Sequence, residues 1–333
     1  MPGTLGARMP DRRLWRVVFA ITILDLVIVL AGPLALLVDR GRGDLGPSRL
    51  VLLAAVVAVI VLPFQCLALW MVLAPQVAEQ RRLRRLFRRV DEVLRTGDLT
   101  IAFQPVVDAK DLRVVGVEAL ARFGGDQLIT PLQWFADAEL VDRAQQLDLL
   151  AVRSTLAAAA KLPPELYVAV NVSPATFGSP ALREVLRSSP LSPDRLVVEL
   201  TEHASIEDYA PLIEVRMWLR EQRIRLAVDD AGAGYASFRH IVALAPDIIK
   251  IDRTIITGVD HDPARSSLVG AVVTFAGESG ASTVAEGVET AFELRCLTAL
   301  GVDTVQGHLT GMPTSAPTDW SRWGEASPTS TSR

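Results

Sequence analysis

Cysteine is nearly absent: Cys66 and Cys296 are the only two in a chain of 333 residues. Cys66 lies in an apolar run and Cys296 in a stretch of helical pattern, far from each other. No disulfide framework is expected, which suits a reducing compartment for the main domain. An excess of one charge is missing too. Against 38 Asp and Glu stand 34 Lys and Arg, a formal net charge of −4. That argues against a nucleic-acid polymer as partner. Apolar residues, by contrast, make up half of the chain, and its mean hydropathy is positive, which is high for a soluble protein. The length suits one large domain plus something extra.

The extra part opens the chain. Residues 14–38 and 50–74 are almost wholly apolar, and each exceeds the ~20 residues needed to cross a bilayer. A cleaved signal peptide is the rival reading of the first run. The run's length and the second run close behind it disfavour that reading. Arg8, Arg12, Arg13 and Arg16 flank the start of the first run, and Arg81, Arg82, Arg84, Arg85, Arg88 and Arg89 follow the second. The loop between, 39–49, is short and mixed in charge. The positive-inside rule therefore puts residues 1–13 and everything after 74 in the cytoplasm, as a multi-pass protein of the cell membrane. So short an outer loop leaves no room for an extracytoplasmic sensor domain. Asp25 and Gln65 interrupt the two spans at similar depth. Packing glue, within the hairpin or across a dimer, is favoured for them over a sensing role. Residues 75–97 read as a basic linker helix capped by Gly97. It serves as a collar for anionic lipid head groups, as a signalling helix, or as both.

From Asp98 onward short apolar runs alternate with longer amphipathic ones, the pattern of β/α units around a parallel sheet. Strands are expected at 99–107, 114–120, 167–172, 196–200, 224–228, 248–251, 282–285 and 303–306. Helices are expected at 147–161, 181–187, 211–222, 264–279 and 291–300. The first two strands are joined too tightly for a helix, so they pair as an antiparallel hairpin. Eight strands within residues 98–313 fit an α/β, TIM-like (β/α)8 barrel whose first strand is antiparallel, preceded by the two transmembrane helices. Residues 314–333 are rich in Ser, Thr and Pro and are expected to be disordered.

The chain is organised around Leu226-Ala227-Val228-Asp229-Asp230, where an apolar strand ends in two adjacent carboxylates and a glycine-rich loop follows. Alone, such a pair is most often a solvated turn. Here acid, amide or ammonium groups end nearly every expected strand: Glu118, Asn171, Glu199 with Glu202, Lys250 with Asp252, Glu286 with Glu289, and Gln306. Barrel chemistry sits at the carboxyl ends of the strands, so these groups should converge on one pocket. Carboxylates plus an amide make an all-oxygen site for Mg²⁺ or Mn²⁺. So many acids suit two ions sharing a carboxylate, an arrangement that recurs in phosphoester hydrolysis. Lys250 would balance charge and orient a water, and Glu286 would act as base.

The motifs at these positions, in chain order, are Phe103-Gln104-Pro105-Val106-Val107-Asp108, Glu118-Ala119-Leu120-Ala121-Arg122, Asn171-Val172-Ser173, Glu199-Leu200-Thr201-Glu202, Asp229-Asp230-Ala231-Gly232-Ala233-Gly234-Tyr235, Asp247-Ile248-Ile249-Lys250-Ile251-Asp252, Ala285-Glu286-Gly287-Val288-Glu289 and Gln306-Gly307-His308. With these motifs, residues 99–313 resemble the EAL domain, the cyclic di-GMP phosphodiesterase of bacterial signalling. The resemblance implies that Glu118, Asn171, Glu199 and Asp229 hold a first metal ion. It implies that Asp229 and Asp230 hold a second, with Glu286 close by. Lys250 would position the nucleophilic water and Gln306 would line the site. Gln104, Leu120 and Arg122 would contact the substrate, and the product would be pGpG. Glu202 would anchor the loop after Asp230, which in the family couples a homodimer contact to the metal site.

Two positions depart from the family pattern: Ala231 stands where Phe is usual, and His308 where Tyr is usual. Neither is a metal ligand, so they bear on rate and regulation. Phe123-Gly124-Gly125-Asp126-Gln127 resembles part of a cyclase motif but reads as a turn. The leading function is a membrane-anchored phosphodiesterase. The alternative is a catalytically idle receptor for cyclic di-GMP, and a third reading is a membrane scaffold whose barrel only dimerises. Idle members typically lose metal ligands or the lysine; here all are present.

Overall fold

The computed structural model describes residues 47–124, 129–200, 208–231 and 235–324. The chain divides into two compact units, Met1–Arg85 and Leu86–Arg333. Their boundary lies inside α1 (Pro47–Thr96), a 50-residue helix that contains Pro63 and Pro75. The expected second span and linker helix are therefore one element, with no break at residue 75. Among the described residues no helix is long and apolar enough to cross a membrane. The expected first span, 14–38, and its Asp25 lie outside the described residues, as do the side chains of 47–58 and 60–62 in the second. Phe64, Trp70 and Met71 of α1 are exposed. At the other end Gly97 closes the helix as expected. Its φ is +69°, and its N–H donates to the Val93 carbonyl at 2.8 Å.

In the second unit eight strands close a barrel in sequence order. They are β1 (Leu99–Asp108), β2 (Val114–Phe123), β3 (Tyr167–Val172), β4 (Leu196–Leu200), β5 (Arg225–Ala231), β6 (Ile248–Ile251), β7 (Ser282–Ala285) and β8 (Thr304–Val305). β1 runs antiparallel to both neighbours, β2 and β8, and every other pairing is parallel. After β2 come α2 (Pro131–Leu140) and α3 (Ala144–Ala159), and after β3 come α4 (Pro174–Phe177) and α5 (Pro180–Arg187). α6 (Ala210–Glu221) follows β4, and α7 (Tyr235–Leu244) follows β5. α8 (Arg253–Ile256) and α9 (Pro263–Ser279) follow β6, and α10 (Ala291–Leu300) follows β7. Four of the described helices start where a capping side chain meets proline: Thr130, Ser173, Ser179 and Asp262 each cap a helix with Pro in its first turn.

Side chains alternate faces along a strand, so the barrel interior is stacked in layers two residues apart. The middle layer is apolar: Val106, Ala169, Val197, Ala227, Ile248 and Val284 form one cluster. Two residues further toward the carboxyl ends stand Asn171, Glu199, Asp229, Lys250 and Glu286, with Gln104 as their counterpart on the reversed β1. Two residues the other way stand Tyr167, Arg195, Arg225 and Ser282. The outward faces pack on the helices: Val198 and Leu226 join one cluster with Leu219, while Ile249 and Ile251 join another with Val269 and Leu297.

Residues after 313, expected to be disordered, include α11 (Pro317–Trp320) and a 3-10 turn, Ser321–Gly324. The reason is Trp320. It is buried edge-on against Phe103, with ring centroids 5.0 Å apart, and its Nε1 donates to the Thr314 carbonyl at 3.1 Å. Burying one large aromatic orders a short segment that composition alone marks as loose.

Candidate active site

Lys250 is the centre of the site. It stands on β6 just above the apolar layer and is 2% exposed. Its Nζ meets four carboxylates: Glu286 Oε1 at 2.6 Å, Glu199 Oε2 at 3.1 Å, Asp229 Oδ1 at 3.3 Å and Glu118 Oε2 at 3.6 Å. These come from β2, β4, β5 and the residue just past β7. Burial by itself pulls the ammonium pKa down. The four carboxylates outweigh burial and hold it well above the usual lysine value. The acids feel the reverse. Burial, with Glu118, Asp229 and Glu286 adding and Lys250 opposing, raises Glu199 well above the ordinary carboxylate range. Burial again, with Lys250 opposing and Asp229 and Glu118 adding, pushes Glu286 up to about 8. A carboxyl held near neutrality is suited to exchange a proton.

Amides complete the ring. Asn171 Nδ2 donates to Glu118 Oε1 at 2.9 Å, and Gln306 Nε2 donates to Glu118 Oε2 at 2.7 Å. Gln306 Nε2 also donates to Gln104 Oε1 at 3.1 Å, and Gln104 Nε2 donates to the Gly311 carbonyl at 3.1 Å. Gln306 Oε1 is buried without a partner. Gly307 permits this crossing: a Cβ there would stand 2.2 Å from the Val288 carbonyl oxygen. Any larger residue would part the end of β8 from the loop after β7. Further along β2, the half-buried Arg122 donates to the Ala121 carbonyl at 2.9 Å. Burial lowers its pKa and Glu118 counters that.

Eight of the expected site residues thus form one bonded group: Gln104, Glu118, Asn171, Glu199, Asp229, Lys250, Glu286 and Gln306. Leu120 and Arg122 follow on β2 toward the mouth of the barrel. Asp230 belongs to β5, but its side chain lies outside the described residues, as do Ala231's side chain and the whole of Glu202. His308 is exposed at the mouth, with Nδ1 3.8 Å from Glu289 Oε1, and Glu289 pairs with Arg253 at 2.7 Å. Reading the chain alone gives Lys250 the charge-balancing and water-orienting role but not its place at the centre of four carboxylates, and passes over Asp148. The signals were present: a lone lysine among acidic strand ends, and an acid among Leu147, Leu149 and Val152 on the buried side of α3.

The donor set fits a hard cation. Four carboxylates against one ammonium leave a formal charge of −3 if all are ionised. Gln306 Oε1, buried without a hydrogen-bond partner, adds an amide oxygen to the set. Such an excess of oxygen ligands suits Mg²⁺ or Mn²⁺. Among the described residues, no three Asp, Glu, His or Cys side chains stand ready as a metal cage. The Lys250 ammonium lies between the acids instead. A cavity of about 430 Å³ opens at the opposite, amino-terminal end of the barrel, beside Tyr167, Arg195 and Arg225. It is remote from the acids.

Comparison with known proteins agrees with this geometry. RocR of Pseudomonas aeruginosa, a cyclic di-GMP phosphodiesterase, is 30% identical over 250 residues, covering 72% of this chain and 62% of that protein. The P. aeruginosa MucR phosphodiesterase, solved in complex with c-di-GMP, superposes with a TM-score of 0.63 at 29% identity, over 70% of this chain and 99% of that one. Klebsiella pneumoniae BlrP1, solved with manganese and c-di-GMP, superposes with a TM-score of 0.59 at 30% identity, over 65% of this chain and 56% of that one. The chain spans between 30% and 62% of the length of the curated relatives it matches. The EAL domain family matches residues 84–313, well over half of the chain, and this protein belongs to that family.

Proposed function

We propose that this protein hydrolyses cyclic di-GMP to pGpG with the help of divalent cations. The observation that carries the reading is the ring of four carboxylates around Lys250 at the carboxyl ends of the strands. Its likeness to phosphodiesterases of this family, and to relatives solved with c-di-GMP and with manganese, supports it. Glu118, Asn171, Glu199 and Asp229 would hold one Mg²⁺ or Mn²⁺, and Asp229 with Asp230 a second. When bound, such ions polarise a phosphodiester and stabilise the charge that develops on its oxygens. The chain's own groups do the rest. Gln104, Leu120 and Arg122 seat the dinucleotide. Lys250 orients the attacking water, and Glu286 takes its proton as the new P–O bond forms. The bond from phosphorus to the ribose 3′-oxygen breaks, that oxygen takes up a proton from water to become the 3′-hydroxyl, and the ring opens to the linear product. Gln306 keeps Glu118 and Gln104 in register.

The apolar runs 14–38 and 50–74 and the flanking arginines support attachment to the lipid of the cell membrane, with the barrel on the cytoplasmic side. We place the working unit as a homodimer, with Glu202 anchoring the loop after Asp230. The test is incubation of the full chain with cyclic di-GMP and Mg²⁺ or Mn²⁺, with chromatography for pGpG. Product supports an enzyme. Nucleotide bound without turnover would replace this reading with that of an idle receptor.

A further inference from the structure

Asp148 sits on α3, outside the barrel, and is 5% exposed. Its Oδ2 accepts three neutral donors: the Ser173 hydroxyl at 2.5 Å, the Ser173 N–H at 3.2 Å and the Thr176 hydroxyl at 2.6 Å. Burial raises its pKa, and these hydrogen bonds only partly counter the rise. A buried carboxylate without a charged partner is costly. Helix capping does not account for it. Ser173 caps α4 through the Thr176 N–H, but Ser179 caps α5 through the Leu182 N–H with no acid behind it.

What Ser173 adds is its place in the chain, two residues past Asn171. Asn171 is the second-last residue of β3, with Nδ2 on Glu118 Oε1, and Val172 between it and Ser173 is buried. Asp148 therefore pins the exit of the strand that carries Asn171. We propose that Asp148 is a positioning residue for Asn171, acting through Ser173 to hold the amide where it meets the cation. This rests on the reading of Asn171 as a metal ligand. Partners that orient metal ligands typically contribute about 10–100-fold to metal affinity or activity.

The test measures Mn²⁺ binding to the full chain by electron paramagnetic resonance of the free ion, beside thermal unfolding and turnover. Asn171→Ala should weaken Mn²⁺ binding about tenfold or more, and Asp148→Ala about tenfold. Asp148→Asn, whose amide oxygen still accepts, should restore most of that loss. Ser173→Ala removes the hydroxyl from the clasp while keeping the acid and its bond from the Ser173 N–H, so it should weaken Mn²⁺ binding in the same direction as Asp148→Ala but by less. It decides the matter if Asp148→Ala does not fold. If Asp148→Ala and Ser173→Ala unfold earlier yet bind Mn²⁺ like the parent, Asp148 is purely structural and the proposal falls alone. If Asn171→Ala binds Mn²⁺ like the parent, the ligand reading falls and takes the proposal with it.

Discussion

The two ends of this barrel handle charge in opposite ways. At the amino-terminal end the partly buried Asp247 and the exposed Asp303 each have their own donors. Asp247 accepts from two Arg216 nitrogens at 2.8 and 2.9 Å and from the Leu226 N–H at 2.8 Å. Asp303 accepts from the N–H and hydroxyl of Thr283, both at 2.8 Å. At the carboxyl end four carboxylates share one lysine. One apolar layer separates the two arrangements. The first end is satisfied and rigidifies the sheet. At the second, burial together with the crowding of like charges lifts the pKa of Glu199 and Glu286, an arrangement that an added cation or a proton relieves. Local rules are broken where function needs them broken.

The comparison breaks most visibly at Lys250. Lys250→Ala should reduce pGpG formation to background while leaving binding of cyclic di-GMP measurable by calorimetry. Parent-like turnover would make the acid ring a structural cluster. Chelation comes next. Activity should vanish in excess EDTA and return with Mg²⁺ or Mn²⁺ but not with Ca²⁺, whose looser geometry fits the carboxylates without enforcing the reactive one. Undiminished activity in chelator would sink the metal assignment.

A paired experiment sharpens the contrast between the ends. Glu199→Gln should lower kcat/KM by about 100-fold. Its thermal midpoint should equal or exceed the parent's, because one like charge leaves the ring. Asp247→Asn should do the reverse, keeping kcat and costing about 2 kcal/mol of stability, because Arg216 stays buried without its counter-ion. Equal effects of the two variants on stability would erase the distinction.

The remaining contrast, read in no assay of activity, is a pH slope in metal-free protein. Folded, Glu286 keeps its proton up to about pH 8, while in the unfolded chain it loses it near the ordinary 4.5. The folded state binds more protons in that window, so stability should fall as pH rises from about 5 to 8. Denaturant titrations in chelator would show it, and Glu286→Gln should flatten the slope. A slope unchanged in that variant would assign it to another group.

Much of the barrel was legible because strand period and strand-end chemistry coincide. β3, β6 and β7 have the bounds expected from their apolar runs, each flanked by turn residues. β2 runs on to Phe123, past the expected end at 120, because its antiparallel pairing with β1 continues to Leu99. α2 and α7 went unassigned; α7 follows directly on the glycine-rich loop, whose turn residues obscure its start. α1 reads as two elements because hydropathy changes abruptly near residue 75, whereas the backbone carries on through Pro75. The site was legible as a set of residues and not as an arrangement. The central place of Lys250 and the clasp of Asp148 on Ser173 are contacts between distant segments.

The sequence by itself determined which residues can act, since period-two alternation puts Glu118, Glu199, Asp229 and Lys250 on the inward face one layer beyond the apolar one. Only the closed barrel decided that they meet. Gln306 reaches Glu118 across 188 residues of chain, and the antiparallel β1 carries Gln104 to the same level from the opposite direction. Period and hydropathy act over a few residues, whereas closure is a property of all eight strands at once, set by register and strand tilt.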